Sequence, residues 1–463
     1  MKNKTILSTC VFVGLILSLF VATGTENGFK IIGANSQLIG GNILYVGGSG
    51  PGNYSSIQDA IEDANDGDTI LVYSGVYKEN IEISYMRDLT IIGENMENTI
   101  IDGNFNKDNV VTLYHSDYIK LANFTIRNSG QSHYYSGLES YYSGYCEILN
   151  CKFENNFHGI IVFRSDYNKI KNCIFNNLQG QSILITVYSD YNEIKNCQFN
   201  YANWTGTYIY KSEKNKIIDS AFYGCNIAIT IRDSSNCHIK GTTVYSCGSS
   251  DSVSLFIGES QNIILQNCNI SESKNTGLAV SKSNNITVSN SSFVDDVAGI
   301  ILHKTYDSQI KNCTVSGSTY SGISIRYSSR DKIIDTVSRD NDYHGILLYY
   351  SDSNEVKYCS IKENKVCGVY LLETKNDVIN YNNIIDNGWG MFVNNSIADA
   401  RYNYWGSIFG PLTFGLFGDG IWWTKGSKVS FFPWALTEIS SRPGNKIPIS
   451  WLSPVNLALW HFL

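Results

Sequence analysis

One phrase recurs through most of this chain, and its period limits what the chain can fold into. It reads Gly159-Ile160-Ile161-Val162-Phe163-Arg164-Ser165-Asp166-Tyr167-Asn168-Lys169-Ile170-Lys171-Asn172-Cys173-Ile174-Phe175. It returns as Gly345-Ile346-Leu347-Leu348, followed by Ser351, Asn354, Val356, Cys359 and Ile361. With the Asn-Cys position as marker, one column runs Cys151, Cys173, Cys197, Ser220, Thr242, Cys268, Ser291, Cys313, Thr336, Cys359, Asn382, at spacings of 22 to 26 residues. That period is too short for a propeller blade or a helix pair, so each repeat is one turn of a wound structure. Period-two alternation within Gly-Ile-x-Leu and Cys-x-Phe marks half-buried strands, and the Asn, Ser, Asp and Gly between them mark bends. The expected fold is all-β: a right-handed parallel β-helix of about 12 coils stacked at ~4.8 Å.

Polar residues in such a ladder are structural first. Asn168, Asn192, Asn215, Asn236, Asn262, Asn285 and Asn354 fall at one bend, where amides satisfy backbone groups and bond to the next coil. The cysteine column holds small residues facing the core, so stacked free thiols are expected. Disulfides between neighbouring coils, such as Cys225 with Cys247, are the alternative. No Cys-x-x-Cys is present, which leaves zinc and thioredoxin-like chemistry unsupported. A net charge of -7, from 42 acids and 35 bases, offers no basic stripe for nucleic acid.

Lys2 and Lys4 precede an apolar run from Ile6 to Ala22, and Ala22-Thr23-Gly24 offers small residues for cleavage. Residues 1–24 read as a signal peptide and 25–42 as a linker. An uncleaved segment would be the only membrane contact. Residues 43–103 read as an N-terminal cap with the first coils, 104–400 as the repeats, 401–435 as a C-terminal cap and 436–463 as a tail. The helical spacing of Ile57, Ala60, Ile61 and Ala64 gives one cap, and Trp405, Trp422, Trp423 and Trp434 give the other. Asn-x-Ser/Thr sequons at Asn53, Asn123, Asn203, Asn269, Asn285, Asn290, Asn312 and Asn394 fit a secreted or cell-surface protein as possible glycosylation sites.

The run from Ile57 through Gly67-Asp68-Thr69-Ile70, Gly75-Val76-Tyr77-Lys78-Glu79-Asn80 and Leu89-Thr90-Ile91-Ile92-Gly93 to Ile101-Asp102-Gly103 resembles the opening of pectin-lyase-like, NosD-type β-helix surface proteins. Tyr402-Asn403-Tyr404-Trp405-Gly406, Gly410-Pro411 and Phe432-Pro433-Trp434 resemble the closing motif of the same group. With the repeats, the likeness spans roughly residues 43 to 435. It implies carbohydrate recognition or processing at cell surfaces and supplies no catalytic residue, because this architecture hosts many chemistries.

The outward column after the Gly-Ile strand is read as Phe163, Val187, Tyr210, Ile231, Ile257, Val280, His303, Arg326, Tyr349. Its last three members, His303, Arg326 and Tyr349, should stack on successive coils within reach of one sugar, and they are the candidate binding residues. A second outward column, Ile161, Ile185, Tyr208, Ile229, Leu255, Leu278, Ile301, Ser324, Leu347, Tyr370, reads as an apolar stripe. Asp296 and Asp342 flank Thr319 at the bend before the strand, too far apart to share a calcium ion. Calcium is implied only if the chain is a lyase, and no metal site is expected otherwise. Three functions follow in order: a noncatalytic protein binding polysaccharide or cell-envelope glycan, a polysaccharide lyase or glycoside hydrolase, and a NosD-like copper accessory. Four methionines and seven histidines form no soft-ligand cluster for the last.

Overall fold

The structure, a computed structural model, describes residues 41–411 and 418–440; the expected signal peptide, most of the linker and the tail beyond 440 lie outside them. Each coil carries three short strands, as in Lys169–Lys171, Ile174–Asn176 and Ile183–Thr186. Each strand pairs in parallel with its copy one coil on, giving sheets of 17, 14 and 15 strands. The first sheet runs from Ile43–Val46 to Lys428–Ser430, the second from Gly75–Tyr77 to Asn383–Ile385, and the third from Ile81–Ser84 to Ile421–Trp423. The coil number therefore exceeds the expected 12. Coils before Cys151 lack the Asn-Cys marker, and the aromatic segment expected only to cover the end supplies the last strands of two sheets.

Inside, like residues stack on like. Phe153, Phe175, Phe199 and Phe222 form a ladder with ring centroids 5.0, 4.9 and 4.3 Å apart. The marker column from Cys151 to Asn382 is buried throughout, and the 11 described cysteines are free and buried. At the start of the third-sheet strands, Gly299, Gly322, Gly345 and Gly368 stack because no larger residue fits. A Cβ on Gly345 would lie 2.8 Å from the Gly368 carbonyl oxygen and 2.7 Å from Asn364 Nδ2. Gly345→Ala is expected to destabilise by about 1–3 kcal/mol, the usual cost of overpacking. Urea unfolding of the two proteins checks this, and unchanged stability would mean that the strand shifts freely.

The amide ladder is real but narrower than the sequence suggests. Asn168, Asn192 and Asn215 turn inward, each Oδ1 accepting the backbone N–H of the preceding coil at 2.8 Å. Asn354 does the same for Asp331 at 3.1 Å. Asn236, Asn262 and Asn285 instead stand one residue earlier, exposed and at φ of 56°, 55° and 51°, with Cys237, Ile263 and Ile286 taking the inward place. Left-handed backbone favours Asn outside, and the unpaired N–H favours Asn inside, so both positions select one residue type. Buried acids take the same role: Asp377 accepts from Asn354 N–H at 2.8 Å in this ladder, and Asp296 from Ser273 N–H at 2.9 Å in a separate ladder at the bend between the second and third sheets. Burial pushes both carboxyls up to about 7, and Asp331 and Asp419 to about 6.

Helix α1, Ile57–Asp63, buries Ile57, Ala60 and Ile61 against the first coil. Ser56 caps it, and the Glu79 carboxylate accepts the N–H groups of Ile57 and Gln58, each at 2.9 Å. At the other end Trp405 is wholly buried, whereas Trp422 and Trp423 face solvent on the last third-sheet strand.

Candidate functional site

The turn from the third sheet to the first follows one plan, with an extra residue where Val187 and Tyr188 both precede the inward Ser189. The strand ends on an outward residue: His303, Arg326 or Tyr349. The next residue, Lys304, Tyr327 or Tyr350, takes left-handed backbone at φ of 55°, 53° and 48°. The one after, Thr305, Ser328 or Ser351, turns inward and is buried. Ser328 Oγ accepts the Thr305 N–H at 3.0 Å, and Ser351 Oγ accepts the Ser328 N–H at 3.2 Å. The same hydroxyl ladder continues through Ser283, Ser260, Ser234 and Ser212. Because each of these side chains leaves the surface, the chain dips once per coil, and the dips align into a groove along the helix axis.

Between Glu213 and Tyr306 this groove encloses about 670 Å³. Asp233, Glu259, Lys282 and Lys304 form one wall; Glu213, Gln261, Asn284 and Tyr306 form the other. Lys282, 3.1 Å from Glu259, holds that carboxyl below the usual range, and Arg232 lies 3.6 Å from the same group. Lys304 and Arg326 have no carboxylate partner among the described ion pairs, and Arg326 Nε instead donates to Ser324 Oγ at 2.8 Å. Partial burial, followed by Lys304, Arg326 and Lys282, holds His303 below the usual imidazole range. It is therefore neutral near pH 7 and can both donate and accept.

The three candidate residues come together as the period implies: His303 pairs with Arg326 and Arg326 with Tyr349 in the strand register. Two further rings, Tyr327 and Tyr350, not expected from the sequence, stand beside them. Tyr327 meets Tyr349 edge-on at 5.5 Å and His303 at 5.7 Å, and it stacks on Tyr350 at 5.5 Å. Their signal was a Tyr one residue past the column, at a position where a bulky side chain in left-handed backbone is uncommon.

Farther from these residues the expected columns need correction. The true column runs Phe163, Thr186, Tyr210, Arg232, Gly258, Ser281, His303, whereas Ile231, Ile257 and Val280 lie in the core. The apolar stripe survives with different members: Ile161, Leu184, Tyr208, Thr230, Phe256, Ala279 and Ile301, while Ile185, Ile229, Leu255 and Leu278 point inward. A one-residue slip reverses the face, and Ile183-Leu184-Ile185 gives alternation no means to detect it. Asp296 is buried in the bend ladder and not on the surface, and Asp342 pairs with Lys365 at 2.6 Å.

Among the sequons, Asn285 and Asn312 donate their amides to Asn262 and Asn290, at 2.7 and 2.8 Å. Asn123 donates to the Gly93 carbonyl at 3.2 Å, Asn53 to that of Gly47 at 2.6 Å, and Asn269 and Asn394 accept from Ser292 and Thr424. Asn203 is exposed beside Trp204.

A family model described as "Periplasmic copper-binding protein (NosD)" matches residues 235–404, which include all of the His303–Tyr350 cluster. Another, "Right handed beta helix region", matches residues 136–293, and "Pectinesterase" matches residues 43–130. Over these segments the chain is similar to NosD-type and pectin-lyase-like proteins, and its fold is their parallel β-helix. Pectinesterase 2.2 of Solanum lycopersicum is 36% identical to this β-helix protein over 92 residues, covering 19% of the chain and only 16% of that relative. The fold also resembles bacteriophage phi29 gene product 12, with a TM-score of 0.60, 14% identity and coverage of 73% of this chain and 54% of the other. A GH87 α-1,3-glucanase catalytic domain solved with tetrasaccharides gives a TM-score of 0.50 at 12% identity, covering 71% of this chain and 68% of the other.

Copper does not fit the residues present. Among the described residues no three His, Cys, Asp or Glu side chains converge as ligands. Burial raises the thiol of Cys151 to about 12, which disfavours the thiolate a metal needs. No described helix is long and apolar enough to cross a membrane.

Proposed function

We propose that this β-helix protein is exported and acts without catalysis, holding an acidic polysaccharide or cell-envelope glycan in the axial groove. The observation that carries this reading is the pair Lys304 and Arg326. Two cations lacking a carboxylate partner among the described ion pairs stand on adjacent coils, beside exposed tyrosine rings and a groove floored by serines. A carboxylate-bearing sugar satisfies all three: its charge at the cations, its hydroxyls on the floor, and its apolar ring face on Tyr327 or Tyr350.

Titration calorimetry with a galacturonic acid oligomer and a neutral glucan oligomer tests this. Arg326→Ala is expected to weaken binding of the acidic oligomer at least several-fold and flatten its salt dependence, with thermal stability nearly unchanged. Lys240→Ala, on the outer face of the first sheet, serves as control. Equal binding by parent and Arg326→Ala would overturn the site. A second reading rests on Glu213 facing Asp233 and Glu259 across the groove. Two carboxylates across a glycan are the arrangement of glycoside hydrolases. New reducing ends that vanish in Glu213→Gln would establish that reading instead.

A further inference from the structure

Resting on the glycan reading above, we propose that the groove takes a polymer rather than a short oligosaccharide, because a second aromatic anchor occupies its amino-terminal end. There the outward column is Tyr114, Tyr141, Phe163, paired coil to coil, with centroids 5.6 and 5.1 Å apart and planes within 9°. The adjoining groove wall is Tyr85, His115, Tyr142, with centroids 5.5 and 5.0 Å apart and planes within 6°. Arg164 closes this end of the wall, its guanidinium carbon 5.4 Å from the Tyr142 centroid and 5.6 Å from that of Phe163.

The angles between the two ladders decide what they present. Neighbouring rings across them meet at 84°, 78° and 72°. Two ladders stacked flat along one axis would have parallel planes, so at least one is tilted off the axis. Tyr85, the terminal ring of the wall, is 74% exposed. The opposite side of the groove differs. Tyr118, Tyr145, Tyr167 and Tyr191 stack 4.7 to 4.9 Å apart within 9°, and Arg87 and Lys214 cover the two end faces at 5.1 and 4.7 Å. That ladder has its faces occupied and acts as a rigid wall. The His115 ladder ends on exposed Tyr85, which is left open to a sugar ring.

Both anchors lie on the same two columns. Eleven parallel pairings connect the strand Ile81–Ser84 to His344–Tyr349, a separation of about 50 Å at ~4.8 Å per coil. Between them the groove is lined mainly by charge and hydroxyls, with Tyr188, Tyr210 and Tyr306 as further rings along it. A chain reaching from Arg326 to Tyr85 gains its second contact at high effective concentration, whereas a shorter one touches a single anchor.

The experiment is calorimetry with size-fractionated galacturonic acid oligomers on the parent and on Tyr85→Ala/His115→Ala. Both rings are exposed, so folding should be kept, and an unchanged unfolding midpoint confirms it. The parent is expected to bind oligomers spanning about 50 Å at least tenfold more tightly than short ones. The double variant should lose that gain and keep the short-oligomer affinity. Affinity independent of length in the parent, or a length gain that survives in the variant, would overturn the second anchor while leaving the Arg326 site in place. Loss of the glycan reading itself would show differently, as short oligomers that bind neither protein.

Discussion

Asp296→Asn/Asp377→Asn is expected to unfold at a higher temperature than the parent at pH 8 and at nearly the same temperature at pH 4. Both carboxyls occupy inward ladder positions where a neutral amide serves elsewhere, and burial raises them to about 7. A raised folded value means that the folded state holds protons the unfolded chain releases. The stabilisation is complete below the unfolded carboxylate value and is lost as pH rises from about 4 through about 7. Above that window each site carries a buried charge costing on the order of 2–4 kcal/mol. Asparagine keeps the acceptor for Ser273 N–H or Asn354 N–H without the charge. Thermal unfolding from pH 4 to pH 8 checks this: a parent midpoint that does not fall with pH, or a variant that falls equally, would contradict it.

Ile346→Asp should be the most damaging single change considered, costing several kcal/mol. Ile346 is fully buried between Ile323 and Val369 on the coils either side, and a carboxylate there meets only hydrocarbon. Lys357→Asp is the matched control: Lys357 is outward, its ion pair with Glu355 is solvated, and such pairs are worth at most about 1 kcal/mol. Urea unfolding separates the two, and equal losses would show that the inward and outward faces are misassigned.

The sequence reveals the coil and the column of His303, Arg326 and Tyr349 because that stretch repeats at a constant 23 residues. Register is lost where coils change length: the extra residue at Val187-Tyr188 and the loop after Cys247 move neighbouring strands by one place against a simple count. The hydroxyl ladder was legible as Ser189, Ser212, Ser234, Ser260 and Ser283 but resembles ordinary bend composition until its hydrogen bonds are known. The groove has no sequence signature of its own, since it arises from a side chain turning away. Tilted and flat tyrosine ladders read alike in sequence because ring orientation depends on neighbours across the turn.

The four ladder acids raised to about 6 or 7 share one half of the molecule. Asp296, Asp331, Asp377 and Asp419 all follow residue 295, whereas the amino-terminal bends rely on Asn168, Asn192 and Asn215. In a stack where each coil touches little beyond its neighbours, local stability need not be uniform, and opening can begin at one end. Alkalinity therefore gives this solenoid a polarity: its carboxy-terminal coils become the place where unzipping starts, and the amino-terminal coils hold longest.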